Sequence, residues 1–253
     1  MPYAPVGELR MYYELHGDGP PLVLLHGAYL TAEAFVPLLP GLAEVRRVVV
    51  PEMQGHGRTA DADRPLTYEQ MADDTAELMR QLELGQADIV GYSMGGSIAL
   101  QLAMRHPELV RRLVVASAGY RHDAMAEAAI AMFRSITPEM FAGSPREAEY
   151  RRLAPNPGDF PVLVEKLKAL HTTGFAWPED AIRGIPAPTQ VIAGDSDLIR
   201  LEHAVELFKL RGGGAQLAIL PGTTHMLPPG AGLLDRADWL LSMIRPFLDP
   251  PQA

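Results

Sequence analysis

The chain has 253 residues, 47% hydrophobic and 21% charged, and no cysteine. Without cysteine there is no disulfide, no thiolate metal site and no cysteine nucleophile, so covalent chemistry falls to Ser, Thr, Lys, Asp, Glu, His or Tyr. The 22 basic against 31 acidic residues leave a net charge of −9, which argues against a nucleic-acid binder and against adsorption to an anionic membrane.

Met1 to Glu8 show no basic stretch followed by an apolar one, and no apolar run approaches the ~20 residues that span a bilayer. The expectation is a cytoplasmic protein with neither a membrane nor a nucleic-acid partner. The first strand is expected at Leu9 to Glu14. Apolar runs then follow at Pro21 to Leu25, ahead of Gly27, at Arg47 to Val50, ahead of Pro51, at Asp88 to Val90, and at Leu113 to Ala116. Continuous rather than alternating apolar runs suit parallel strands covered on both faces.

Helical patterns lie between these runs. Thr67 is a plausible N-cap, followed at helical spacing by Met71, Thr75, Leu78 and Leu82. Ser93 to Arg105 forms the next helix, stopped near Pro107. From about Tyr120 to Ala187 the pattern is helical without strands: Ala124 to Arg134, Pro145 to Leu153 and Pro161 to Leu170. Strands return at Thr189 to Ala193 and Gln216 to Leu220, and a closing helix is expected from Leu233 to Phe247. Strands alternating with helices predict an α/β fold, a mostly parallel twisted sheet with helices on both faces. The expected division is a core of residues 1–119 and 188–253, with a helical lid, 120–187, inserted at one end of the sheet.

Gly91-Tyr92-Ser93-Met94-Gly95-Gly96 is the sharpest motif. Its core is G-x-S-x-G, directly after a predicted strand and opening a predicted helix. Composition alone gives about 0.06 chance occurrences in a chain of this length. The turn is so tight that positions two before and two after the serine have no room for a Cβ, and the serine is lifted above the sheet with its Oγ exposed. The helix N-terminus points its free N–H groups at the same place.

With Leu24-Leu25-His26-Gly27-Ala28 and Gln54-Gly55-His56-Gly57-Arg58-Thr59, this motif resembles the α/β-hydrolase superfamily, in particular its lidded carboxylesterase and cofactor-free haloperoxidase-like branch. The resemblance covers nearly the whole chain. It departs at Glu52, where many relatives carry Asp. The family order is nucleophile, acid, base. The acid position maps to Asp197 in Gly194-Asp195-Ser196-Asp197, with Asp195 as competitor, nearer the strand end and suited to capping the following loop. The base position maps to His225, after Pro221-Gly222-Thr223-Thr224. The remaining histidines have structural readings: His26 and His56 as loop or pocket-wall residues, and His16, His106, His122, His171 and His203 at surfaces or helix ends.

The resemblance implies that His225 takes the Ser93 proton as Ser93 attacks a carbonyl, and that Asp197 holds the imidazole tautomer. It also implies an oxyanion hole made by the backbone N–H groups of Met94 and Ala28. Tyr29, Phe133, Phe141 and Trp177 are candidates for the substrate pocket. Arg121, Arg151 and Arg152 could meet an anionic substrate, although solvated surface is the favoured reading. No metal or organic cofactor is implied. The reading is a serine hydrolase of small or medium carboxylic esters. Lactone, carbon–carbon or peroxide chemistry on the same triad stays open, as does a non-catalytic ligand-binding receptor of the same fold. Oligomeric state has no signature in the sequence.

Overall fold

A computed structural model describes residues 2–226 and 228–249. Among them, eight strands form one sheet: β1 (Tyr3–Val6), β2 (Leu9–His16), β3 (Pro21–Leu25), β4 (Arg47–Pro51), β5 (Ala87–Tyr92), β6 (Val110–Ala116), β7 (Thr189–Ser196) and β8 (Gln216–Thr224). Their spatial order is β1-β2-β4-β3-β5-β6-β7-β8. From β4 to β8 every pairing is parallel, while β1 and β2 join antiparallel at one edge. The sheet is therefore mostly parallel, as the unbroken apolar runs imply. β1 carries Pro5, which the sequence reading passed over. It lies at the sheet edge, where a residue lacking an N–H is tolerated.

Successive side chains on each parallel strand enter two different cores, because strand side chains alternate. On one face Val23, Leu25, Val49, Ile89, Leu113, Val115 and Val191 pack against α2 (Tyr68–Gln81), α3 (Met94–Arg105) and α8 (Leu201–Arg211). On the other, Leu22, Leu24, Val48, Val50, Val90, Val114 and Ile192 meet α1 (Leu39–Ala43) and α9 (Ala237–Leu248). Thr67 caps α2, its hydroxyl accepting from the Gln70 N–H at 3.1 Å. The closing helix is shorter than expected. Leu233–Asp235 form a 3-10 turn, and Arg236, at φ −95° and ψ 42°, separates it from α9.

Between β6 and β7 run α4 (Glu127–Ser135), α5 (Pro145–Leu153), α6 (Phe160–Thr172) and α7 (Glu179–Arg183), with no strand among them. α4 and α5 pack on α6, whereas α7 packs on α3 and α8. Among the described residues no helix is long and apolar enough to cross a membrane.

Candidate active site

Each chemically marked residue lies just beyond the carboxyl end of a parallel strand, where open α/β sheets present their crevice. Ala28 follows β3, Ser93 follows β5, Asp197 follows β7 and His225 follows β8.

The turn at Ser93 is as tight as its glycines imply. A Cβ on Gly91 would stand 2.2 Å from the Gly95 oxygen, and one on Gly95 2.0 Å from the Leu25 oxygen. Ser93 itself sits at φ 55° and ψ −121°, a strained conformation for a residue with a side chain. Its Oγ lies 2.8 Å from Nε2 of His225, and Nδ1 of His225 lies 2.7 Å from Oδ1 of Asp197. The imidazole ring stacks on Tyr92, centroids 5.3 Å apart, and the Tyr92 hydroxyl donates to the His225 carbonyl.

Asp197 is held from several sides. Oδ2 accepts from the Ser117 hydroxyl and the Gly194 N–H, and Oδ1 accepts from the Ile199 N–H at 3.2 Å. Burial works against its charge, but the hydrogen bond and charge of His225, with the Ser117 hydroxyl, outweigh burial and keep its pKa below the usual carboxylate value. Asp195 points elsewhere: it is exposed and accepts from the N–H groups of Gly222 and Thr223 at 2.9 and 3.2 Å. It ties the start of the histidine loop and does not meet His225.

Ala28 shares a cavity lining with Ser93, and Met94 follows it in the chain. Among the described residues neither N–H has a protein acceptor, and Met94 is the first residue of α3, where an N–H lacks an intrahelical partner. Two buried histidines hold the Ala28 loop. His26 donates from Nδ1 to the Gly27 carbonyl at 2.9 Å and accepts the Met53 N–H on Nε2 at 3.0 Å. His56 donates to the Gln54 carbonyl at 3.0 Å and accepts the Tyr29 N–H at 3.3 Å. Burial pushes these imidazoles down to about 4 and about 3, so both are neutral, as their acceptor roles require. Glu52 also serves the loop. Its carboxylate accepts from the N–H groups of Arg58 and Ala32 and from the Arg58 guanidinium at 2.8 Å.

Two cavities open at Ser93. The larger, about 270 Å³, is walled by Ala28, Tyr29, Phe133, Ile136, Phe141 and Met226, among others. The smaller, about 40 Å³, is lined by Phe133, Phe175, Ser117 and Gly119, among others. Tyr29, Phe133 and Phe141 thus lie where a pocket was expected, with Tyr29 and Phe141 rings 5.0 Å apart. Trp177 is a correction: it lines neither cavity. Its N–H donates to the Tyr120 carbonyl at 3.0 Å and its indole to Glu69 at 3.1 Å, which turns the ring onto Tyr68 and Phe175.

His171 and His203, expected at surfaces or helix ends, do lie near helix ends, in the last turn of α6 and the first of α8, but are buried, at 5% and 0% exposed. His171 could have been found, because it continues the apolar stripe of Leu163, Val164, Leu167 and Leu170 on α6. Arg146, which was not singled out, donates to the Tyr29 carbonyl at 3.1 Å and reaches the Met226 sulfur. Arg121 lines the smaller cavity but is paired with Glu206 at 2.7 Å, while Arg151 and Arg152 pair with Glu147 and Glu33. Among the described residues no group of three or more His, Asp or Glu side chains is placed to hold a metal ion.

Residues 20–155 match the family model for the alpha/beta hydrolase fold. The chain is 34% identical over 209 residues to the 2-hydroxymuconate semialdehyde hydrolase of Pseudomonas sp. (strain CF600), covering 72% of each chain. It is 24% identical over 254 residues to the pimeloyl-[acyl-carrier protein] methyl ester esterase of Nitrosospira multiformis, covering 87% of this chain and 93% of that one. Among solved structures it resembles the enol-lactonase of Burkholderia xenovorans LB400, with a TM-score of 0.74 at 23% identity over 98% of this chain and 99% of that one. At that identity the likeness is one of fold.

Proposed function

The chain belongs to the α/β-hydrolase family, and from that premise we propose that it is a serine hydrolase cleaving small or medium carboxylic esters through an acyl-enzyme. The observation that carries this reading is the unbroken relay from Ser93 Oγ to His225 Nε2 at 2.8 Å and from His225 Nδ1 to Asp197 at 2.7 Å.

Ser93 is the nucleophile. His225 takes its proton as Oγ attacks the carbonyl, and returns it to the leaving alcohol. Asp197 keeps Nδ1 protonated, so that Nε2 is the basic nitrogen, and stabilises the imidazolium. The carbonyl oxygen becomes an oxyanion between the N–H groups of Ala28 and Met94, each worth about 3 kcal/mol of barrier. Water, activated by His225, then releases the acid. Helices within 120–187, whose residues wall the cavities over Ser93, form the lid. The esterase likeness and the apolar cavity favour an ester.

Carbon–carbon hydrolysis is the second reading. It is favoured by the 34% identity to a hydrolase of 2-hydroxymuconate semialdehyde, a substrate whose name includes no ester. A 4-nitrophenyl ester assayed between pH 6 and 9 separates the two. Fast turnover by the native protein, absent from Ser93→Ala, is expected. Ring-opened semialdehyde cleavage with esters untouched would transfer the assignment, and no turnover of any acyl substrate would end the hydrolase reading.

A further inference from the structure

One side chain at the junction of the two cavities takes no part in the relay. His171, in the last turn of α6, lines both cavities together with Ser93, Phe133, Leu198 and His225. Its ring lies flat on Phe133, centroids 4.4 Å apart and planes within 9°. Nδ1 lies 2.7 Å from the Leu167 carbonyl oxygen. A carbonyl only accepts, so Nδ1 carries the proton and Nε2 presents a lone pair. Burial pushes the imidazole down to about 4, against the opposing hydrogen bond to Leu167, so the ring is neutral and this tautomer holds at neutral pH.

Among the described residues nothing donates to Nε2. Of the hydroxyls that line the two cavities, Ser97 donates to the Gly119 carbonyl at 2.9 Å, Ser117 donates to Asp197 and Ser93 is bonded to His225, while those of Tyr29 and Thr224 have no partner among the described residues and are not bonded to Nε2. Nε2 is therefore a fixed acceptor in a mainly apolar wall. Such an atom is costly to shield from water unless a ligand supplies the donor, and pockets orient their ligands with a few groups of this kind.

Resting on the hydrolase reading, we propose that Nε2 of His171 is a specificity-determining acceptor, and that the preferred substrates are esters carrying a hydroxyl or N–H close to the scissile carbonyl. The position follows from His171 and Ser93 sharing both cavities: a donor on a carbon near the carbonyl meets Nε2 while the carbonyl faces Ser93. Phe133, stacked on the ring, keeps the acceptor in place during attack.

The test compares kcat/KM for methyl butyrate, both enantiomers of methyl 2-hydroxybutyrate and methyl 3-hydroxybutyrate, and N-acetylalanine methyl ester. These are followed by acid release in the native protein, His171→Phe and His171→Gln. The native protein is expected to favour at least one donor-bearing ester over methyl butyrate by about tenfold or more, since a site built around a hydrogen bond discriminates against the analogue lacking it. In His171→Phe that ratio falls to near one, whatever the absolute rates. In His171→Gln, whose amide oxygen accepts, part of it returns. Hydroxy esters and the N-acyl ester separate the two kinds of donor. Cleavage of methyl butyrate with all native ratios within about twofold overturns the proposal alone, as does a preference that survives in His171→Phe. Cleavage of none of these methyl esters while a 4-nitrophenyl ester is turned over overturns the proposal alone, and turnover of neither overturns the ester reading on which it rests as well. If His171→Phe does not fold, as judged by circular dichroism, the native ratios and His171→Gln still decide.

Discussion

Gly95→Ala is the most incisive small change the structure offers. Alanine is the better helix former, worth about 1 kcal/mol over glycine inside a helix, and Gly95 is the second residue of α3 with unremarkable φ. Propensity alone predicts stabilisation. Space predicts the reverse. The added Cβ would lie 2.0 Å from the Leu25 oxygen, 2.4 Å from the Leu25 carbon and 2.7 Å from the His26 oxygen. All three are backbone atoms, so no rotamer relieves the clash. Reaching the 3.0 Å that real Cβ atoms keep requires a displacement of 1.0 Å between the end of β3 and the start of α3. Overpacking of this kind costs about 1–3 kcal/mol, roughly 2–12 °C in Tm for a domain of this size. The catalytic effect is larger, because Leu25 and His26 lead into Ala28 and α3 carries Met94. A shift near 1 Å separates the two oxyanion donors, and misplacement by that amount costs about 100-fold in rate. The assay pairs a thermal melt with kcat on a 4-nitrophenyl ester. Gly158→Ala, where an added Cβ meets nothing within 4 Å, serves as control. Native-like melting and turnover in Gly95→Ala would refute the argument that this close approach sets the oxyanion geometry.

Ser117→Ala removes one of the donors on Asp197 Oδ2 while leaving the Gly194 and Ile199 amides. A fall in kcat of about 10–100-fold with little change in KM is expected, the weight of one hydrogen bond to a charged group, about 1.5–3 kcal/mol. An unchanged kcat would show that the backbone amides suffice. Burial depresses His26, His171 and His203 from 6.5 to about 4 and His56 to about 3. Below 6.5 the unfolded chain takes protons that the folded chain refuses, so stability falls as pH drops from about 6.5 towards 4. Each histidine contributes about 1.4 kcal/mol per pH unit inside that window. Urea melts between pH 7 and pH 5.5 read this slope, and a flat Tm and midpoint across that range would contradict the burial of these rings as neutral groups.

The sheet and the turn at Ser93 were legible because their signals are local. Val23, Leu24 and Leu25 form an unbroken apolar run, and Gly91 and Gly95 stand where no Cβ fits. β1 was missed because Pro5 hides an edge strand whose only partner among the described residues is β2. Between Asp195 and Asp197 the sequence offered a family spacing. In the structure Asp195 is occupied by the Gly222 and Thr223 amides, and Asp197 is the one of the two that faces His225. The helices between β6 and β7 were legible as helices but not as contacts. Trp177 and His171 illustrate this, one turned onto Tyr68 and Glu69 and the other brought into the cavity by the register of α6. Which face of a helix meets a cavity depends on how α4, α5 and α6 pack, and that packing joins residues distant in sequence.

The proposed role of Ser93, a nucleophile activated by His225 and Asp197, is read out by labelling with a fluorophosphonate, followed by intact mass and peptide mapping. One adduct per chain is expected, on Ser93, absent from Ser93→Ala and formed much more slowly in His225→Ala. No adduct on the native protein, or an adduct that persists in Ser93→Ala, would contradict that role.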